Sequence, residues 1–273
     1  MSVTNRKVGP WARPFLGALP FLLLVGAYAI GSAMRLAANP ADKLLPSLPD
    51  IAETFWRMAS EPDKRSGDLL LWSDTWLSLA RLGGGILIAA LISVCLGVAI
   101  GFLPRVRATL APFVAAISLI PPITILPILF IVFGLGETSK IALIVIGTAP
   151  VMTRTLAQAV MDIPREQIVK AETLGASALQ MIARVVLPQI WPRLITAVRL
   201  GLVPAWIFLI SAEAIASTGG LGYRIFLVRR YLAMDVILPY VAWITLIAYA
   251  LDRILQFLSR RLFRWAHLEG ESL

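Results

Sequence analysis

The sequence predicts an all-α membrane protein of six transmembrane helices. Of its 273 residues 58% are hydrophobic and 15% charged, and the mean hydropathy is +0.81, well above that of a water-soluble domain. The apolar residues also collect in runs of roughly 20, the length a helix needs to cross a hydrocarbon core of about 30 Å. These runs are Phe15 to Ala37, Gly84 to Leu103, Leu110 to Phe133, Ile141 to Val160, Ile195 to Ala216 and Val236 to Leu258.

The first run follows Arg6, Lys7 and Arg13, a pattern shared with signal peptides. Its length is that of a full crossing, so it reads as an uncleaved first span. Residues 38–82 then form the one sizeable extramembrane segment. Within it, Ile51, Phe55 and Met58 recur at helical spacing between proline- and glycine-containing stretches, which predicts a short amphipathic helix. Trp56, Trp72 and Trp76 suit the membrane interface.

The second span places Gly85, Ala89, Ser93, Gly97 and Gly101 at every fourth position, a stripe that lets a neighbouring helix approach closely. In the third, Pro121, Pro122 and Pro127 each remove a backbone donor and break the helical ladder. Two readings stand for it: a wall of a water-filled pathway that accepts the freed carbonyls, or an ordinary proline kink.

The charge is +9, and with both termini placed inside, the inside segments hold all of it while the remainder sums to zero. This asymmetry of Lys and Arg predicts cytoplasmic termini, a tail at 1–14 and another at 259–273. The basic charge therefore serves topology, and no nucleic-acid partner is expected. Cys95, the single cysteine, lies in an apolar run and excludes an intrachain disulfide. His267, the single histidine, falls in the polar tail.

Between spans four and five, residues 161–194 are too polar to be buried in lipid. Pro164 opens a stretch that is polar all round, with Glu166 and Lys170 at i and i+4. After Gly175, Leu179, Ile182, Ala183 and Val186 form an apolar face, and Leu187-Pro188 is expected to end the helix. Two short helices hinged at a glycine suit a docking element, or a surface helix that only connects two spans.

Catalytic chemistry finds no support in the sequence. GLGETSK lacks phosphate-loop spacing, no HExxH occurs, and no acid pair sits at helical spacing within an apolar run. No cofactor is implied. Glu213 reads as the acid within a span, either a gate or solute-facing group or the partner of a loop arginine such as Arg224. A guanidinium solute would find the right charge sign there. The following loop, STGGLGYRIFLVRRYLAMD, offers a glycine turn and a half-apolar helix, suited to a partner contact, an outer gate or a plug.

Leu174-Gly-Ala-Ser followed by Leu187-Pro188 resembles the cytoplasmic EAA loop of ABC importer permeases. That resemblance implies a type I ABC importer permease (MetI-like) architecture, a single transmembrane domain over 1–273, and a coupling role for Lys170, Ala171, Glu172, Gly175, Ala176, Leu187 and Pro188. The family's Glu-Ala-Ala falls on Val169, Lys170 and Ala171, so only Ala171 agrees, and Glu172 sits one helical turn from the acidic position.

LLPSLPDI, PILFIVFGLGETSKIAL and PAWIFLISAEAIASTGGLGYRI are similar to the nitrate, sulfonate, taurine and bicarbonate branch. STGGLGYRIFLVRRYLAMDVILPYVAWITLIAY looks closest to permeases associated with urea carboxylase, implying urea or guanidine as solute. The implied partners are an ABC ATPase subunit, an extracytoplasmic solute-binding protein and a second permease copy in a bacterial inner membrane. Pro121, Pro122, Pro127 and Glu213 are the pathway or gate candidates. The alternative reading is a secondary transporter or channel that works without an ATPase.

Overall fold

The computed structural model describes residues 12–40, 42–63 and 67–266; Arg6, Lys7, His267, Glu269, Glu271 and the side chain of Arg13 lie outside that description. The described residues are helical, with no strand among them. Helices α1 (Ala12–Ala38), α3 (Leu70–Phe102), α6 (Glu137–Met161), the path from α8 (Ala178–Met181) through α9 (Leu187–Ala216), and α11 (Met234–Leu262) are long and apolar enough to cross a membrane. Helices α4 (Pro104–Ile117) and α5 (Pro122–Phe133) supply a sixth crossing if taken as one broken span. Helices α2 (Leu48–Ser60), α7 (Arg165–Thr173) and α10 (Leu221–Val228) are shorter.

The chain divides into two compact units. The smaller contains α1, α2 and residues 228–241. In it, Tyr28 Oη donates to the Pro46 carbonyl at 2.7 Å and Ser32 Oγ to the Leu45 carbonyl at 2.9 Å, so the loop after α1 meets the hydroxyls of an otherwise apolar helix. The backbone N–H of Leu44 and the paired Arg35 hold the Asp42 carboxyl below its ordinary value. Helix α2 begins in a reciprocal cap between Ser47 and Asp50, which fixes its start ahead of the expected amphipathic stretch. Its buried residues are Thr54 and Met58, with Phe55 half-buried.

The larger unit is organised around α3 and α6. The small-residue stripe of α3 lies on α6: a Cβ on Gly97 would stand 2.8 Å from Leu156 Cβ, and one on Gly101 would stand 2.5 Å from Val160 Cβ. Ser93 Oγ donates to the Ala149 carbonyl at 3.0 Å, and Ala89 packs with Ala149 and Met152. The stripe thus serves close packing within the chain, with dispersion and hydroxyl bonds at Ser93 replacing the hydrophobic drive that lipid removes. Helix α3 starts at Leu70 rather than at Gly84, so Trp72, Asp74, Trp76, Ser78 and Arg81 belong to the helix and not to a loop.

Three further expectations are corrected. The break in the third span lies at residues 118–121, where α4 and α5 meet at 94°. Pro121 caps α5 and Pro122 opens it, a position where the missing N–H costs nothing, while Pro127 stays inside a continuing helix and breaks nothing.

Leu187-Pro188 does not end the segment after Gly175. A π-turn at Ile182–Val186, in which the Leu187 N–H reaches the Ile182 carbonyl, widens the helix just ahead of Pro188. The extra residue accommodates a ring that would otherwise clash with the preceding turn, and the helix continues into α9. That extra residue also rotates the apolar face. Met181 and Val186 are buried, whereas Leu179 and Ala183 are exposed.

Candidate functional site

Three features of the larger unit bear on function. The first is a cavity of about 300 Å³ at the α4–α5 break, walled by Ser118 and Pro122 on one side, Gly147, Thr148 and Thr155 of α6, and Pro204 of α9. The lining carries hydroxyls and no charged side chain. Gly147 is needed there because a Cβ would fall 2.2 Å from the Phe208 ring. Of the sequence-predicted pathway prolines, Pro122 lines this cavity; Pro121 precedes it in the bend and Pro127 is exposed within α5.

The second is a buried polar cluster. Glu213 is fully buried, its carboxylate accepting from Arg81 Nη1 at 2.7 Å, Ser78 Oγ at 2.8 Å and the Gly222 N–H at 2.8 Å. Arg81 also donates to the Gly219 carbonyl at 2.8 Å and to Glu137 at 2.8 Å. Lys140 Nζ lies 3.0 Å from Glu137. The ion partner of Glu213 is therefore Arg81, and Arg224 instead pairs with Asp74 at 2.8 Å. With its oxygens occupied by an arginine, a serine and a backbone amide, Glu213 ties α3 to the turn between α9 and α10.

A φ of +120° at Gly220, where a Cβ would stand 2.5 Å from Glu213 Oε1, explains the glycines of that turn: only bare backbone passes so close to the carboxylate. The sequence reading missed Arg81, Ser78, Asp74 and Glu137. A signal existed, since residues 74, 78 and 81 fall at i, i+4 and i+7 on one helix face, but it was hidden by starting the span at Gly84. Glu137 lies in GLGETSK, a short glycine-containing turn into α6 with nothing local to mark its partner Arg81.

The third is the segment from α7 to α9. No residue of α7 is buried; Lys170 and Glu172 are exposed and Ala171 is half-buried. Gly175 adopts φ +79°, the Ala176 N–H reaches the Ala171 carbonyl at 3.0 Å, and the Gly175 N–H reaches that of Glu172 at 2.9 Å, closing α7 in a Schellman turn. Ser177 then caps α8 reciprocally with Gln180. Gln189 Nε2 donates to Gln167 Oε1 at 2.8 Å, and Ile163, Ile168, Ile182 and Leu187 pack on a cluster of Val98, Val160, Val186 and Ile190. Leu187 is half-buried and Pro188 exposed. The hairpin of α7 and α8 thus presents an exposed outer surface and is fastened to the long helix behind it.

Residues 85–264 match the family described as "Binding-protein-dependent transport system inner membrane component". The chain is 39% identical over 199 residues, 72% of each chain, to the taurine transport system permease protein of Escherichia coli K12. Its fold is similar to a chain of the MetNI methionine ABC transporter in an inward-facing conformation (22% identity, TM-score 0.62, covering 74% of this chain and 98% of that one). It is likewise similar to a chain of a bacterial alginate ABC transporter solved with an alginate-bound periplasmic protein (16% identity, TM-score 0.62, covering 92% and 94%). The multi-pass helical chain belongs to the binding-protein-dependent transport system inner membrane components, the permease subunits of ABC importers, and is not itself an enzyme, ATP hydrolysis residing on a separate subunit.

Proposed function

We propose that this permease carries a small sulfonate of the taurine type across a bacterial inner membrane, driven by an ATPase subunit that docks on the hairpin of α7 and α8. The single observation carrying the coupling role is the continuity of α8, the π-turn and α9. One uninterrupted helical path, Ala178–Ala216, joins an exposed, glycine-closed hairpin to residues that wall the α4–α5 cavity. Force applied at the hairpin reaches the cavity through that helix without crossing a loop. Lys170, Ala171, Glu172, Gly175 and Ala176 form or flank the docking surface, and Leu187 and Pro188 sit where the π-turn meets α9.

The solute assignment draws on the taurine permease relative, and the urea or guanidine reading rests on sequence resemblance alone. Glu213, saturated by Arg81 and Ser78, has no oxygen left to recognise a guanidinium. Pro122 and the hydroxyls of Ser118, Thr148 and Thr155 belong to the pathway wall. The hairpin and both termini are cytoplasmic, in accord with the distribution of Lys and Arg. A solute-binding protein delivers from the opposite face, as the periplasmic protein bound to the alginate transporter suggests, and a second copy of the permease completes the pathway.

Reconstitution tests the reading. Proteoliposomes holding the permease with its ATPase and loaded binding protein should accumulate taurine only with ATP, and omission of the ATPase should abolish uptake. Gradient-driven uptake by the permease alone would establish the secondary-transport alternative. A cysteine placed at Pro164 should react with an impermeant thiol reagent only from the ATP side.

A further inference from the structure

We infer that Arg154 is an anion-reading residue in the solute pathway, a step that rests on the sulfonate reading above. Helix α6 presents Val151, Arg154, Thr155 and Gln158 along one face at spacings of three and four residues, and Asp162, its C-cap, follows Gln158 by four. This face borders three adjoining cavities. The cavity of about 300 Å³ at the α4–α5 break shares Val151 and Thr155 with one of about 540 Å³. That one shares Ala159, Asp162 and Arg193 with a third of about 560 Å³ beside Pro164 and Gln167 of the coupling hairpin. A track of adjoining cavities thus runs from the proline bend to the foot of α7.

The charge along this track is positive. Arg154 and Arg193 line it, and among the described residues the one carboxylate in its lining is that of Asp162, whose Oδ1 accepts from Gln158 Nε2 at 2.8 Å. Arg154 is held without a carboxylate. Its Nη1 donates to Ser118 Oγ at 2.9 Å, and Ser118 spends its own proton on the Ala115 carbonyl at 2.7 Å, so the serine is committed as an acceptor. Among the described residues Arg154 has no ion-pair partner.

A guanidinium offers five N–H donors in a planar fork, and this one uses a single donor on a residue that itself lines the neutral cavity. The remaining donors match the oxygens of a tetrahedral sulfonate, which would leave the hydroxyl-lined cavity and meet Arg154 as the first charge on its way. Two arginines against the single carboxylate of Asp162, itself bonded to Gln158, also disfavour a cationic solute, which gives the track a sign preference as well as a binding group.

The test uses the permease assembled with its ATPase, carrying Cys95→Ala and Thr155→Cys, the latter beside Arg154 in both upper cavities. Labelling rates of this thiol are compared for the anionic sulfonatoethyl and the cationic trimethylammonioethyl methanethiosulfonates. With Arg154 present, the anionic reagent should gain about tenfold relative to its rate ratio on a free thiol, the order expected of one nearby charge. Arg154→Gln should remove that gain, Arg154→Lys should retain part of it, and taurine should slow the anionic reaction.

An unchanged rate ratio in Arg154→Gln overturns the inference, as does loss of reactivity toward both reagents equally, which would mark a structural role. In proteoliposomes at saturating binding protein, Arg154→Gln should cut taurine uptake at least about tenfold while ATP hydrolysis persists, with Arg154→Lys partly restoring transport. Failure of the unsubstituted transporter to move taurine would count against the sulfonate reading separately, because the labelling ratio reports on the anion site without transport.

Discussion

Arg81 Nη1 lies 2.7 Å from Glu213 Oε1 with both side chains almost wholly buried, and the same guanidinium reaches Glu137. One arginine therefore holds the first turn of α6 and the last turns of α9 together. Removing it with Arg81→Ala leaves the Glu213 carboxylate buried with only Ser78 and a backbone amide, a loss on the order of 3 to 5 kcal/mol. Glu213→Gln keeps the amide and hydroxyl contacts and leaves Arg81 paired to Glu137, so its cost should be nearer 1 to 2 kcal/mol, roughly. Thermal unfolding of the detergent-solubilised variants should rank them in that order; equal midpoints would refute the assignment of Arg81 as the centre of the cluster.

At Gly175 the space around a hypothetical Cβ is open, and the positive φ alone constrains the residue. Gly175→Asn, which tolerates the left-handed region, should keep most ATP-driven uptake. Gly175→Val should lose it through a local strain of about 1 to 2 kcal/mol that unwinds the hairpin, while membrane insertion stays intact. Uptake by the valine variant at the unsubstituted rate would remove the hairpin from the coupling path.

Gly147→Ala places a methyl group against the Phe208 ring in the wall of the α4–α5 cavity. Overpacking of this kind costs about 1 to 3 kcal/mol. Phe208→Leu in the same chain should recover part of that loss, since the smaller side chain vacates the space. A double-mutant cycle on unfolding midpoints reads the coupling, and strict additivity of the two changes would contradict the contact.

Pro188→Ala restores an N–H and removes the ring that the π-turn accommodates. The helix is then free to relax to regular winding, which moves α8 by one residue about the axis of α9. Stability should rise or hold, yet solute moved per ATP should fall because the hairpin is turned away from its docking surface. Amide exchange across Ile182–Ile190 measures the change in winding, and an unaltered exchange pattern together with unaltered transport would show that the proline is incidental.

Much of this arrangement was legible in the sequence. Run lengths gave the crossings, and the spacing of Gly85, Ser93, Gly97 and Gly101 announced a close helix pair, because backbone-to-backbone approach demands small residues at every turn. The hairpin's glycine also stood out, since only a positive φ closes α7 that way. Other features depended on pairings between distant residues.

Asp74, Ser78 and Arg81 read as loop because a stretch with charges fails a hydropathy window, and only their partners Arg224, Glu213 and Glu137 make their burial affordable. The exit of the helix through Pro188 was equally hidden. A proline's local preference is to stop a helix, and one additional residue in the turn before it reverses the outcome.

The position of the Arg81 cluster sets a mechanical advantage. Helix α9 is tied by a buried ion pair at its Glu213 end and its path runs on as far as Ala178, a lever of about 50 Å at 1.5 Å per residue. Turning such a lever by only about 10° about the fastened end sweeps its far tip through roughly 9 Å, yet shifts atoms next to the pivot by less than a bond length. The buried charges therefore need not separate during transport: a transporter geared this way opens widely at one end while its costliest ion pairs stay still at the other.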